Sequence, residues 1–155
     1  LAQLCDAFYI GGTKCGALFG EALVVPKSGG IPHFFTVMKQ RGALLAKGWL
    51  LGLQFDALFT DGLYGEVGKT AIAAADKIRN ALREYGYRLY CSTSTKQVFV
   101  VLEDAQMARL AEAVEFSFWE KLDDTHTVIR LATSWASSEA DAERLVAVLK
   151  EHAIG

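Results

Sequence analysis

The pattern of apolar positions along this chain of 155 residues predicts two short N-terminal strands followed by a long helix. Residues 7–10 and 22–25 are short apolar runs separated by glycines, a pattern typical of buried strands. Residues 33–60 read as helical, although Gly42 and Gly48 are points where this helix can break. Its apolar side chains are spread around the helix, which predicts burial on all sides, at a dimer or domain interface.

The rest of the chain predicts an α+β domain. Apolar residues at three- and four-residue spacing predict a helix over residues 64–85, ended by Gly86. Further strands are predicted over residues 88–91, 97–102, 116–118 and 127–133, and further helices over 105–114 and 139–152. We expect Asp104 to cap the first of these two helices, and Ser138 with Asp141 to form a capping box on the second. The order ββαββα predicts a sheet covered by helices on one face.

Composition argues against several classes of protein. The formal net charge is −2 and the basic residues are scattered, so nothing favours binding to nucleic acid or to an anionic membrane. Lys47, Gln54 and Asp56 interrupt the longest apolar run and make it too polar for a membrane span. The hydrophobic content of 52% nevertheless exceeds what a small solvated domain needs, which indicates surface that is buried against a partner or another domain.

The three cysteines are Cys5, Cys15 and Cys91. They show no CxxC and no Cys/His ligand spacing, so we expect no metal site. Thiols without a disulfide framework are typical of a reducing compartment, which predicts a cytoplasmic protein.

Lys14 is the strongest candidate for chemistry because it lies between the two predicted N-terminal strands. A lysine held between buried strands loses hydration, which favours its neutral, nucleophilic amine. Such an amine is required to form a Schiff base with pyridoxal phosphate (PLP). Taken alone, the pattern favours the more ordinary case of a lysine that caps a strand end and extends into water.

Three segments of the chain, taken together, carry a family resemblance. The segment GTKCGALFGEA, which includes Lys14, resembles the cofactor-lysine motif of the threonine aldolase and aromatic amino-acid β-eliminating lyase family. The segments KQRGALLAKG (residues 39–48) and RLATSW (residues 130–135) resemble two further landmarks of its threonine-aldolase-like members. They occur in the order of the family and at about its separation.

The resemblance implies an α/β fold of the fold-type I PLP-dependent transferase class. Residues 1–30 would be the last strands of the large PLP-binding domain, 31–62 an apolar connecting helix, and 63–155 the small α+β C-terminal domain. The chain would then be only the C-terminal portion of such an enzyme, because the cofactor lysine of the family lies past the middle of the protein. Since the upstream half supplies most of the cofactor site, we expect no independent catalysis from this chain. The whole protein is expected to be a homodimer or homotetramer.

The resemblance also implies roles for the cofactor-binding residues. Lys14 would carry PLP, and the hydroxyl of Thr13 would donate to the PLP phosphate, with a bond to nearby backbone as an equal alternative. Lys47 lies close to where the family places an arginine that contacts this phosphate from the neighbouring subunit. The alternative for Lys47 is a solvated basic face that it shares with Lys39 and Arg41.

Arg130 is the candidate for binding substrate. It lies in an apolar strand, where an arginine is seldom buried without an anionic partner. A planar guanidinium binds a carboxylate through two parallel hydrogen bonds. The resemblance implies that Arg130 holds the α-carboxylate of an amino-acid substrate; the alternative is an edge-strand arginine that extends into solvent.

The function expected from these residues and the resemblance is that of a PLP-dependent lyase. It would cleave the Cα–Cβ bond of a β-hydroxy-α-amino acid to give glycine and an aldehyde. One alternative is β-elimination on aromatic or sulfur amino acids, which would also use Lys14 and Arg130. Another is a non-catalytic α+β interaction module whose association surface is the apolar helix.

Overall fold

The computed structural model describes residues 1–153, and the chain divides into two compact units, Leu1–Glu66 and Val67–Gly155. The finer division of the first unit at residue 30 stays a prediction. None of the helices in the described part of the chain has both the length and the apolar character that crossing a membrane requires.

The first unit contains a β-hairpin and two helices. Its elements are β1 (Phe8–Gly11), one turn of 3₁₀ helix (Thr13–Cys15), β2 (Glu21–Val24), α1 (Phe34–Gln40), α2 (Trp49–Phe59) and a second 3₁₀ turn (Thr60–Gly62). The strands β1 and β2 pair antiparallel at the predicted place, but they are not buried as predicted: exposed and half-buried side chains alternate along both. The reason is that a two-stranded ribbon packs only one of its faces on α2.

The predicted long helix over residues 33–60 is two helices. Gly42 adopts φ = 70°, a left-handed conformation that ends α1, and its N–H bonds the carbonyl of Lys39. The second helix begins after Gly48, which is its N-cap. The break therefore falls between the two glycines that the sequence pointed to.

The helix α2 is not buried on all sides within this chain. Phe55 and Leu58 are buried against Ala17, whereas Trp49 and Leu53 remain 63% and 56% exposed. Its apolar residues on the other sides are therefore open in this chain, and burial at a dimer or domain interface stays a prediction.

The second unit has the predicted order ββαββα after a long helix. Its elements are α3 (Leu63–Glu84, which begins at the end of the first unit), β3 (Arg88–Leu89), β4 (Gln97–Glu103), α4 (Asp104–Ala111), β5 (Ser117–Lys121), β6 (His126–Ala132) and α5 (Glu139–Glu151). The four strands form one antiparallel sheet in the order β3–β4–β6–β5.

The core of the second unit lies between one face of this sheet and the helices. Val98 and Val100 of β4 pair with Leu131 and Ile129 of β6, so these four side chains share a face. They form one buried cluster with residues of the three helices: Ala74, Ala75, Ile78, Leu82, Leu110, Ala142 and Leu149. The helices therefore cover one face of the sheet, as the element order predicted.

The two helix caps expected from the sequence have different outcomes. Ser138 and Asp141 form the predicted capping box, in which each side chain accepts a hydrogen bond from the other residue's N–H over 3.1 Å. The prediction for Asp104 is wrong, because the N-cap of α4 is Glu103. The carboxylate of Asp104 instead accepts a hydrogen bond from the hydroxyl of Thr127 over 2.8 Å and forms an ion pair with Lys121.

Candidate functional site

Lys14 lies in the loop between β1 and β2, which we call the lysine loop (residues 12–20). The loop begins with the 3₁₀ turn, in which the N–H of Cys15 and that of Ala17 both donate to the carbonyl of Gly12, over 2.8 and 3.0 Å. The side chain of Lys14 is exposed, and among residues 1–153 no carboxylate forms an ion pair with it. Its amine is therefore accessible, but the loss of hydration that the sequence suggested is not seen within this chain.

The helix α2 holds the second half of the lysine loop. The backbone N–H of Leu18 donates to Oε1 of Gln54 over 2.7 Å, and Nε2 of Gln54 donates to the carbonyl of Phe19 over 3.4 Å. At Gly20, where φ is +83°, a Cβ would lie only 2.1 Å from Cδ2 of Leu51. The left-handed backbone conformation favours glycine at this position, and a side chain there would also displace Leu51.

Tyr64 holds Gly11, the residue that leads into the loop. Its hydroxyl donates to the carbonyl of Gly11 over 3.0 Å. Burial, and next the neighbouring thiol of Cys15, raise the pKa of Tyr64, so the hydroxyl stays protonated as this hydrogen bond requires. The backbone on both sides of Lys14 is therefore fixed by side chains from outside the loop.

The other proposed cofactor ligands are also in the first unit. Thr13 adjoins Lys14 in the 3₁₀ turn, and within the described residues its exposed hydroxyl makes no hydrogen bond, so it is free to reach a ligand. Lys47 is exposed and lies one residue before Gly48, at the positive N-terminal end of α2. Lys39 belongs to α1 and Lys47 precedes α2, so these basic residues do not lie on one long helix, contrary to the expectation from the sequence.

Arg130 lies in the second unit, on the sheet face that the helices leave open. Its guanidinium stacks over the ring of Trp119, 5.8 Å from the ring centroid, and its NH2 donates to the hydroxyl of Ser117 over 3.3 Å. The Nε atom is buried and has no hydrogen-bond partner, and no carboxylate within residues 1–153 pairs with the side chain. The guanidinium thus keeps the capacity to bind an anion, which is what the sequence argument required.

Trp119 reaches Arg130 because of a β-bulge. Phe118 pairs with Ile129 and Glu120 pairs with Val128, so Trp119 is an extra residue in β5. A bulge re-aims the side chain it carries, and the ring of Trp119 also packs edge-on against Phe99, with centroids 4.8 Å apart. The arginine is therefore positioned by a tryptophan, a contact that the sequence analysis did not predict.

Asp123 and Asp124 lie in the turn between β5 and β6. The carboxylate of Asp123 accepts hydrogen bonds from the N–H groups of Thr125 and His126, over 2.9 and 2.8 Å. These hydrogen bonds, the one from the N–H of Thr125 first, hold the pKa of Asp123 far below its ordinary value. His126 contacts the same carboxylate and belongs to the turn. Within residues 1–153 no group of three or more metal-ligating side chains forms.

Comparison with solved structures identifies a similar enzyme. A threonine aldolase from Leishmania major is 40% identical to this chain and superposes on it with a TM-score of 0.91, over 99% of this chain and 45% of its own. Nearly the whole chain is thus similar to part of a threonine aldolase, in agreement with the resemblance carried by the three sequence segments. It spans less than half of the length of this relative.

More distant structures share the fold. A Sphingomonas wittichii serine palmitoyltransferase superposes with a TM-score of 0.69 at 15% identity, over 95% of this chain and 39% of its own. A second serine palmitoyltransferase structure, which holds PLP as an internal aldimine, gives 0.68 at 16% identity with the same coverage. These likenesses support the fold-type I architecture that threonine aldolases share. The chain matches no protein-family model and no curated protein sequence.

Proposed function

We propose that the protein containing this chain is a PLP-dependent threonine aldolase, which cleaves a β-hydroxy-α-amino acid to glycine and an aldehyde. The observation that carries this proposal is the 40% identity to a threonine aldolase over 99% of the chain. Lys14, on its tethered loop, and Arg130, with its unpartnered Nε, are the two groups that such chemistry needs from this part of the protein.

The residues of the first unit fit the cofactor. The exposed amine of Lys14 would hold PLP covalently, and the free hydroxyl of Thr13 would donate to its phosphate. Lys47 would add a positive charge beside the N-terminus of α2, where phosphates bind well. When bound, PLP supplies an electron sink for the carbanion left by bond cleavage.

Arg130 would bind and orient the substrate. Two parallel hydrogen bonds from a guanidinium fix both the position and the plane of a carboxylate. Trp119 restricts the guanidinium from one side, so the substrate would meet a donor that is already oriented. Orientation matters here because the Cα–Cβ bond has to stand nearly perpendicular to the cofactor plane before it breaks.

The oligomeric state and the cellular location of the enzyme are also part of the proposed function. We expect a homodimer or homotetramer in the cytoplasm, acting on a small amino acid. The open apolar side chains of α2, among them Trp49 and Leu53, support an association surface in the first unit.

The test is covalent trapping of PLP in the full-length protein. Borohydride reduction should fix a pyridoxyl group on Lys14, found by peptide mass mapping, and Lys14→Ala should abolish it. Lys39→Ala is the matched control, because Lys39 is an exposed lysine of the same unit and should leave trapping unchanged.

The products distinguish the two candidate lyases. Glycine with an aldehyde, formed from a β-hydroxy-α-amino acid, is the expected result. Pyruvate with ammonia would instead identify a β-eliminating lyase. Absence of trapping at Lys14 in a folded full-length protein would refute both and favour the non-catalytic interaction module.

A further inference from the structure

Gln54 is a polar residue within the most apolar helix of the chain, α2. Its side chain is half-buried and faces the lysine loop, where it bonds the N–H of Leu18 and the carbonyl of Phe19. A carboxamide is suited to this arrangement because it has both a donor and an acceptor, so it can bond backbone groups of two successive residues at once. No role in cofactor or substrate binding accounts for this contact.

We propose that Gln54 is a positioning residue for Lys14, acting through the backbone of the lysine loop. The proposal rests on the function proposed above, since it concerns how the amine of Lys14 is presented to PLP. Gln54 does not touch the reacting atoms; it fixes the loop segment that carries them.

Gln54 and Lys14 are connected by a short segment of backbone that hydrogen bonds hold in place. Leu18 follows Ala17, which is buried and whose N–H is bonded to Gly12 in the 3₁₀ turn that contains Lys14. A shift of the backbone at Leu18 therefore passes into this turn instead of being absorbed by a flexible link. The other end of the turn is held by Tyr64 through Gly11, so Gln54 supplies the second of two anchors.

Replacement by leucine removes both hydrogen bonds to the loop, together with the one from Nε2 to the carbonyl of Leu50 within α2, and leaves the N–H of Leu18 without an acceptor. Loss of one such interaction changes an equilibrium about 5- to 10-fold. We expect Gln54→Leu in the full-length protein to lower the rate at which borohydride fixes PLP on Lys14 by this factor, at saturating PLP. A general loss of stability would instead lower the melting temperature without changing trapping in the folded fraction.

Two further variants sharpen the test. Gln54→Glu keeps the acceptor for the N–H of Leu18, which makes the shortest of the three bonds. It loses the Nε2 donor that the carbonyls of Phe19 and Leu50 share, so we expect a two- to threefold loss. Gln40→Leu makes the same chemical change at an exposed glutamine at the end of α1 and should trap PLP like the wild type.

The outcomes separate this proposal from the proposed function. If the wild type traps PLP on Lys14 and Gln54→Leu traps it at the same rate as Gln40→Leu, the role of Gln54 is refuted and the aldolase proposal stands. If the wild type does not trap PLP, the proposed function fails and the role of Gln54 fails with it. Should Gln54→Leu not fold, Gln54→Glu decides: a two- to threefold loss supports the role, and trapping at the wild-type rate refutes it.

Discussion

Gly12 offers a direct test of how tightly the lysine loop is packed. A Cβ at this position would lie 2.6 Å from Cβ of Ala17 and 2.9 Å from Cζ of Phe55. Both distances are below 3.0 Å, so something has to move. The Cβ of Ala17 moves only with its backbone, and Phe55 is 7% exposed in the small core of the unit. The backbone of Gly12 itself has φ = −108°, which alanine adopts without strain.

The expected cost follows from comparing two adjacent glycines. Gly12→Ala introduces an overpacked methyl group, which costs about 1–3 kcal/mol. Gly11→Ala is the control, because its Cβ would meet nothing within 4 Å. Both substitutions reduce the entropy of the unfolded chain by about the same amount, about 0.4–1 kcal/mol. That gain cancels in the comparison, so the difference between the variants is the steric cost.

The assay is urea unfolding of the two full-length variants, with amide hydrogen exchange to locate the change. We expect Gly12→Ala to be less stable than Gly11→Ala by about 1–3 kcal/mol. Exchange should be faster in residues 12–20 and unchanged in the core of the second unit. Equal midpoints and equal exchange for the two variants would refute the packing argument and show that the loop is free to adjust.

Two further predictions concern the second unit. Arg130→Lys keeps the charge but loses the planar fork, so we expect KM for the amino acid to rise about 10- to 100-fold. Steady-state kinetics measure this change, and Arg88→Lys is the control because Arg88 is an exposed arginine of β3. An unchanged KM in Arg130→Lys would exclude the carboxylate role. Hydrogen bonds lower the pKa values of Asp104, Asp123 and Asp141 in the folded state. These carboxylates therefore stabilise the fold at pH values above the unfolded pKa of about 3.9, and their contribution is lost as the pH falls below it. Melting temperatures measured between neutral and acidic pH should show this decline, and a flat profile would contradict it.

The sequence predicted the elements of the second unit well because its signals are local. The apolar spacing of α3, the stop at Gly86 and the capping box at Ser138 each depend on residues within a few positions of one another. The break in the long helix was also visible, since Gly42 and Gly48 bracket it.

The contacts around the candidate site could not be predicted in this way. The bulge at Trp119 depends on the register between β5 and β6, which a single strand does not encode. The contact of Gln54 with Leu18 joins residues 36 positions apart. A polar residue inside an apolar helix was its visible signal, but the sequence did not reveal which backbone groups it would satisfy.

The distribution of buried side chains explains why the lysine loop needs so many tethers. Within the described residues, the buried core of the first unit is only Ala17, Phe55 and Leu58, whereas the second unit has a continuous cluster between its sheet and helices. So small a core contributes little hydrophobic free energy to holding a loop in one conformation. Hydrogen bonds from Gln54 and Tyr64 therefore fix the loop directly, and we expect the open apolar face of α2 to gain further order when it is covered in the whole protein.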